Sequence, residues 1–162
     1  ISSWTRLDHN TMPPAAKTVG NYVNSSLAKV EALKAGYDEA IMLNPQGFVS
    51  ECTGENIFVV RNGVILTPPL SAGALEGITQ NCVAQIAAEL GYEMRVENIV
   101  RSDLYIAEEI FCCGTAAEVS AINSVDDREV PCPGPITTAV AGLYAKAVRG
   151  QVAHYKHWCE LA

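Results

Sequence analysis

Two turn sequences in the middle of the chain restrict the folds that it can adopt. Residues 37–68 hold three apolar runs, which are separated by NPQG (44–47) and RNG (61–63). Short sequences rich in Asn, Pro and Gly between apolar runs are typical of tight reversals between antiparallel strands. We therefore expect this segment to form an antiparallel meander.

Helices are predicted on both sides of this segment. Over residues 21–35, apolar residues recur at steps of three and four, and Gly36 follows where a C-cap glycine is expected. These apolar residues are Tyr22, Val23, Leu27, Val30 and Leu33. Similar patterns predict helices over 78–90, 102–108 and 136–149, and strands over 93–100, 109–115, 119–125 and near Glu129. Because strands and helices do not alternate regularly, we expect an α/β or α+β fold with a mixed sheet.

Composition limits the classes of protein to which the chain can belong. With 162 residues, 49% of them apolar, it has the size of one domain with its own core. Its net charge of -7 argues against a general nucleic-acid binder, which needs a basic face. No apolar run is long enough to span a membrane and no signal peptide is recognisable, so we expect a cytoplasmic protein.

The cysteines and histidines do not suggest a metal site. None of the six cysteines forms a CxxC pair, and His9, His154 and His157 lie near the ends of the chain. We expect reduced thiols that pack as small apolar groups. Cys112 and Cys113 are adjacent in a predicted strand and should point to opposite faces of the sheet.

Lys17 is the first candidate for chemistry. It lies among small, uncharged residues, and no acidic residue occurs between Asp8 and Glu31. Most lysines are solvated surface charges, which is one interpretation. The other is an accessible amine that forms a Schiff base with a carbonyl compound. The small neighbours would let a planar cofactor approach the backbone.

Two further side chains could contact such a cofactor. Glu51 lies inside a predicted strand after Phe48 and Val49, where an acidic residue marks either a solvent-facing position or a buried group with a partner. A protonated pyridine nitrogen would be a suitable partner. Tyr22, at the start of the first helix, is either a half-buried core aromatic or a hydrogen-bond partner of the ligand.

Two turns of small residues are candidate anion sites. GALEGIT (73–79) precedes a predicted helix and offers backbone N–H groups and the Thr79 hydroxyl, although Thr79 could equally be an ordinary N-cap. CCGTAAE (112–118) follows an apolar strand and offers further N–H groups and the Thr115 hydroxyl. Together the two turns could bind one phosphate and one carboxylate.

Taken in order, several motifs resemble those of the branched-chain-amino-acid aminotransferases. This family belongs to the class IV, fold type IV enzymes that depend on pyridoxal 5'-phosphate (PLP). The motifs are AAKTVGNY, GYDEAIMLN, GFVSECTGENIFVV, ILTPP, LEGIT, ELG, LYIAEEIFCCGTAAEV and GPIT. They run from about Trp4 to about Trp158. The resemblance implies a mixed, largely antiparallel sheet or pseudo-barrel flanked by helices.

The resemblance also implies roles for individual residues. Lys17 is expected to form the Schiff base with PLP and to move the substrate proton, Tyr22 to bond the phenolic oxygen, and Glu51 to pair with the pyridine nitrogen. Leu75 is expected to pack beside the pyridine ring. The implied phosphate-binding residues are Gly77, Ile78, Thr79 and Thr115. The implied binding turn for the substrate carboxylate consists of Thr115, Ala116 and Ala117.

The implied activity is transfer of an amino group between L-leucine, L-isoleucine or L-valine and 2-oxoglutarate. Two alternatives stay open: a remnant domain with weak or no catalysis, and a D-amino-acid aminotransferase or aminodeoxychorismate lyase, which share the lysine and the glutamate. The resemblance covers only the large domain of the family. We therefore expect residues 1–14 to be the remainder of an interdomain linker and residues 15–162 to form the PLP-binding large domain, without the small N-terminal domain. The resemblance also implies a homo-oligomer, which is a dimer in the family. From the charge, the hydropathy and the Cys and His spacing described above, we expect no nucleic-acid or membrane partner and no metal.

Overall fold

A computed structural model describes residues 1–159 of the chain. It contains four α-helices, α1 Tyr22–Lys34, α2 Ile78–Glu89, α3 Arg101–Tyr105 and α4 Pro135–Ala147. The strands are β1 Ile41–Leu43, β2 Val49–Cys52, β3 Asn56–Arg61, β4 Val64–Thr67, β5 Met94–Val96, β6 Glu109–Gly114, β7 Glu118–Ala121, β8 Ser124–Val125 and β9 Arg128–Glu129. Short 3-10 helices cover Val19–Asn21, Leu70–Ala72 and Ala153–Trp158. The predicted helices are confirmed to within a few residues at their ends.

The main sheet has five strands in the order β5-β4-β3-β6-β7. The β4–β5 pair is parallel, and the β3–β4, β3–β6 and β6–β7 pairs are antiparallel. Helices α2 and α4 pack against it. A mixed, largely antiparallel sheet flanked by helices is the fold class that the sequence predicted.

The predicted meander divides into two hairpins. Strands β1 and β2 pair with each other in a separate two-stranded sheet, whereas β3 and β4 belong to the main sheet. The break falls at residues 53–55, where the Cys52 N–H donates to the Glu55 carbonyl and closes a turn. Residues 48–60 therefore supply two strands to two different sheets. The turn between these strands faces the cavity described below.

The two faces of the main sheet bury separate apolar clusters. One cluster contains Phe58, Phe111 and Cys113 and lies against α2 and α4, and the Phe58 and Phe111 rings stack with centroids 4.7 Å apart. The other contains Ile110 and Cys112. Because side chains alternate along a strand, the adjacent cysteines enter opposite clusters, as predicted.

Helix α1 presents an apolar surface outward. Its buried side chains are small: Ser25, Ala28 and Ala32. The larger apolar residues of its sequence pattern are exposed: Val23 by 61%, Leu27 by 42%, Val30 by 49% and Leu33 by 55%. We call these four residues the outer α1 face. Periodicity predicted the helix correctly, but the large apolar side chains lie on the side away from the domain core.

The first residues of the chain pack along the β1–β2 hairpin. The Ser2 N–H donates to the Ile41 carbonyl and the Arg6 N–H to the Leu43 carbonyl. This pairing brings the Arg6 side chain into the interior, where it is 6% exposed. Among residues 1–159, no helix has the length and apolar character needed to cross a membrane.

Candidate active site

The described residues line an open cavity of about 270 Å³ between the loop before α1, strand β2 and the turns that precede α2 and follow β6. Eight of the ten predicted site residues line it: Lys17, Tyr22, Glu51, Leu75, Gly77, Ile78, Thr79 and Thr115. Ala116 and Ala117 are not among its lining residues. The structure therefore brings together residues from both halves of the chain that sequence motifs selected separately.

The loop that carries Lys17 is fixed by one buried side chain. The Asn21 side-chain amide donates to the carbonyl oxygens of Pro13 and Ala16, at 2.9 and 2.8 Å. The Thr18 N–H also donates to the Ala16 carbonyl at 2.8 Å. Lys17 itself is exposed at the cavity, and no salt bridge of residues 1–159 includes it. Its amine is accessible to a ligand from the cavity side.

Glu51 is buried and paired. It is 4% exposed, and its Oε1 atom lies 2.5 Å from Nη2 of Arg6. Its Oε2 atom accepts a hydrogen bond of 3.0 Å from the Leu75 N–H. Burial raises the pKa of the Glu51 carboxyl, and the Arg6 guanidinium opposes that shift. The predicted alternative of a solvent-facing acid is wrong, because Glu51 is a buried acid with an internal partner.

The turn before α2 is held against β3 by Asn56. The Asn56 amide donates to the Leu75 carbonyl at 2.8 Å and, more weakly, to Oε2 of Glu51 at 3.4 Å. Gly77 fits closely beside it, because a Cβ atom at Gly77 would lie 2.1 Å from the Asn56 Oδ1 atom. The position of this turn therefore depends on a glycine and a buried amide.

The start of α2 leaves backbone donors free. Gly77 is the N-cap residue and has no side chain with which to cap the first turn. The first N–H groups of a helix lack partners within it and carry a partial positive charge, which favours an anion. Thr79 is buried, while Ile78 is 84% exposed. At this end of the cavity the chain offers donors suited to a phosphate group.

The turn between β6 and β7 forms another wall of the cavity. Cys113, Gly114 and Thr115 line the cavity, and Thr115 is exposed. A Cβ atom at Gly114 would lie 3.4 Å from the Gly54 carbonyl oxygen, so the two turns approach closely. Among the described residues, no cluster of three or more His, Cys, Asp or Glu side chains could hold a metal ion.

Sequence reasoning missed several buried polar residues of this site, among them Arg6, Asn21 and Asn56. All three line the cavity. Asn56 belongs to the GEN motif and Asn21 to the GNY motif, so both lay within sequences already selected. Arg6 lies in the stretch that had been interpreted as a linker, and no local pattern marks it, because its partner is far away in sequence.

A sequence profile of the family described as "Amino-transferase class IV" matches residues 1–125. The chain is 48% identical to the probable branched-chain-amino-acid aminotransferase of Aquifex aeolicus (strain VF5), over 98% of this chain and 52% of that protein. It thus spans about half the length of the curated relatives that it matches.

Solved structures of branched-chain aminotransferases are also similar to this chain. The crystal structure of branched-chain aminotransferase from the archaeon Thermoproteus uzoniensis with norvaline superposes with a TM-score of 0.96, at 48% identity, over 98% of this chain and 53% of that one. The PLP-form of the branched-chain amino acid aminotransferase from Thermobaculum terrenum gives a TM-score of 0.95, at 43% identity, over 97% and 52% of the two chains. The family profile covers residues 1–125, which is more than half of this chain. This chain therefore belongs to the class IV aminotransferases.

Proposed function

We propose that this chain forms the PLP-binding part of an aminotransferase that acts on branched-chain L-amino acids. The observation that carries the proposal is one cavity that combines an accessible lysine, a buried carboxylate and the free N–H groups of a helix start. The names of the matched relatives support the same reaction. Residues 15–162 would be the domain that binds the cofactor, with Arg6 reaching its cavity from the preceding segment.

The chemistry of the cavity fits the groups that PLP carries. An aldehyde needs an amine, which Lys17 offers, and a basic ring nitrogen needs a carboxylate, which Glu51 offers. A phosphate needs N–H donors, which Gly77, Ile78 and Thr79 offer at the start of α2. The absence of a side chain at Gly77 keeps the backbone accessible there. Each group therefore has a chemically matched partner among the residues present.

The residues of the chain then have distinct tasks. PLP, when bound, supplies a carbonyl that takes up an amino group and a ring that delocalises electrons. The Lys17 amine would hold the carbonyl carbon of the cofactor and would move a proton to and from the substrate α-carbon. Glu51 would hold a proton at the ring nitrogen, and Tyr22 would donate to the phenolic oxygen. Leu75 would pack beside the ring.

The amino acid would bind at the turn after β6. Thr115, Ala116 and Ala117 would receive its carboxylate with backbone N–H groups, and Thr115 would also contribute to the phosphate site. L-leucine, L-isoleucine and L-valine are the proposed amino donors and 2-oxoglutarate the acceptor. The relatives' names support this choice over a D-amino acid or aminodeoxychorismate. Ala116 and Ala117 lie outside the cavity lining, so their role depends on the ligand reaching beyond it.

We also propose that the chain forms a homo-oligomer. The outer α1 face is the supporting observation, because a row of large exposed apolar side chains on one helix is typical of surfaces that associate. A symmetric dimer is the commonest assembly of a single chain.

Lys17 can be tested directly. The chain is incubated with PLP, reduced with borohydride and analysed by peptide mass spectrometry. We expect one phosphopyridoxyl group on Lys17, and Lys17→Ala should lose both this adduct and the visible absorption band of the bound cofactor. Lys34→Ala is the matched control, since Lys34 is an exposed lysine at the end of α1. An adduct that persists in Lys17→Ala would contradict the proposal.

Substrate class is tested with the same preparation. L-leucine should convert the cofactor to its amino form and remove the visible band, and 2-oxoglutarate should restore it. D-alanine at the same concentration should leave the band unchanged. The reverse preference would assign the chain to the D-amino-acid enzymes.

A further inference from the structure

Arg6 uses all three nitrogen atoms of its guanidinium group in contacts within the interior. Its Nε atom donates to the Gly73 carbonyl at 3.2 Å, its Nη1 atom to the Ser25 hydroxyl at 3.0 Å, and its Nη2 atom lies 2.5 Å from Oε1 of Glu51. The side chain is 6% exposed. The guanidinium is thus fixed by the turn before α2 and by helix α1, and it meets Glu51 in a single orientation.

Glu51 retains one free acceptor position. A carboxylate accepts about four hydrogen bonds. Oε1 is used by Arg6, and Oε2 is used by the Leu75 N–H at 3.0 Å and weakly by the Asn56 amide at 3.4 Å. Both Arg6 and Glu51 line the cavity. One further N–H donor from a ligand can therefore bind Glu51 without displacing any partner.

A buried carboxylate without a neighbouring cation takes up a proton, because burial disfavours the charged form. A protonated Glu51 would donate to the ring nitrogen of a heterocycle instead of accepting from it. The other charged groups near this position are Lys17 and Glu76, which also line the cavity, and Glu55, whose charge favours a protonated Glu51. Arg6 is the only cation in direct contact with Glu51 within the described residues.

We propose that Arg6 is a positioning residue that keeps Glu51 ionised and oriented, so that the proton between Glu51 and the ring nitrogen of the cofactor lies on the ring. The inference rests on the proposed PLP site for its ligand. The ion pair itself is a property of the chain, so it can be measured without any cofactor.

The first experiment uses the chain free of cofactor. Glutamate carboxyl groups are labelled with ¹³C, and the Glu51 signal is assigned by its loss in Glu51→Gln. We expect Arg6→Met to move the titration midpoint of Glu51 to higher pH and Arg6→Lys to restore most of the difference. Ser25→Ala removes one hydrogen bond of Arg6 but no charge, so it should leave the midpoint close to that of the parent chain. An unchanged midpoint in Arg6→Met would overturn the inference.

The second experiment adds PLP labelled with ¹⁵N in the ring. The parent chain should give the chemical shift of a protonated ring nitrogen, and Arg6→Met that of a neutral one. In a Glu51→Gln background, Arg6→Met should cause no further change, because Arg6 acts through Glu51. A protonated ring in Arg6→Met would contradict the inference.

Failure of the proposed function would look different. In that case the parent chain itself would not bind PLP, while the ¹³C titration would still report on the ion pair. If Arg6→Met does not fold, Arg6→Lys and Ser25→Ala supply the comparison, because both keep the positive charge at position 6. We expect both to keep the Glu51 midpoint close to that of the parent chain, and a clear shift to higher pH in either variant would overturn the inference.

Discussion

Gly77 occupies a position in which a side chain has no room. The Asn56 Oδ1 atom would lie 2.1 Å from a Cβ atom there, and Asn56 also holds the Leu75 carbonyl and contacts Glu51. An alanine must therefore push away the amide that positions the turn. The same backbone would bind the cofactor phosphate.

We expect Gly77→Ala to lower the free energy of unfolding by about 1–3 kcal/mol, the range for forced repacking of a tight site, and to weaken PLP binding. Urea unfolding and absorbance titration measure the two effects. Gly142→Ala is the matched control: Gly142 lies within α4, and a Cβ atom there would have no neighbour within 4 Å. That change should stabilise the chain by about 0.5–1 kcal/mol. Equal effects of the two substitutions would refute the steric explanation.

At the scale of elements, the start of α4 depends on a side chain of β6. Glu109 is buried and accepts hydrogen bonds from the N–H groups of Ile136 and Thr137 and from the Thr137 hydroxyl, at 3.0, 2.7 and 2.6 Å. Its carboxylate occupies the space beside Gly134, the N-cap residue of α4. A strand and a helix that are distant in sequence are thereby joined through one anion at a helix N-terminus.

We expect Glu109→Gln to destabilise the chain by about 1–3 kcal/mol, because the amide NH₂ group would face donors and leave one of them unpaired in the interior. Chemical denaturation gives the value. Glu108→Gln is the control. Glu108 accepts hydrogen bonds from the N–H groups of Asn62 and Gly63 at an exposed turn. We expect this substitution to lower the free energy of unfolding by less than about 0.5 kcal/mol. A smaller effect at Glu109 than at Glu108 would show that the cap is not needed.

At the scale of the whole molecule, the outer α1 face should control association. The double substitution Val23→Lys/Leu27→Lys places two charges on it, so we expect the parent chain to be a dimer or larger and the variant to be a monomer. Light scattering after size-exclusion chromatography measures the mass. Gln85→Lys adds a charge at an exposed polar position of α2 and should leave the parent mass unchanged. A parent chain that stays monomeric at high concentration would contradict the prediction.

Much of the fold and of the site could be predicted because the signals are local. Helices α1, α2 and α4 follow from apolar spacing and their stop signals, and eight of the ten proposed site residues reach one cavity. The division of the meander was not predicted. Residues 48–60 were treated as one strand-forming segment, but the polar stretch at 50–56 holds a turn at 53–55. After this turn β3 pairs with β6 instead of β2, and that choice depends on residues distant in sequence.

The sequence by itself determined the elements, the mixed sheet and the identity of Lys17, Glu51 and the two turns as candidates. Periodicity, turn chemistry and motif spacing involve residues that are close in sequence, so they can be recognised without the structure. Only the tertiary structure decided that Arg6 pairs with Glu51 and that the outer α1 face is exposed. Both depend on contacts between segments that are distant in sequence. Burial makes an ion partner necessary for Glu51. The small residues of α1 pack against the domain, so the large apolar side chains of this helix face outward.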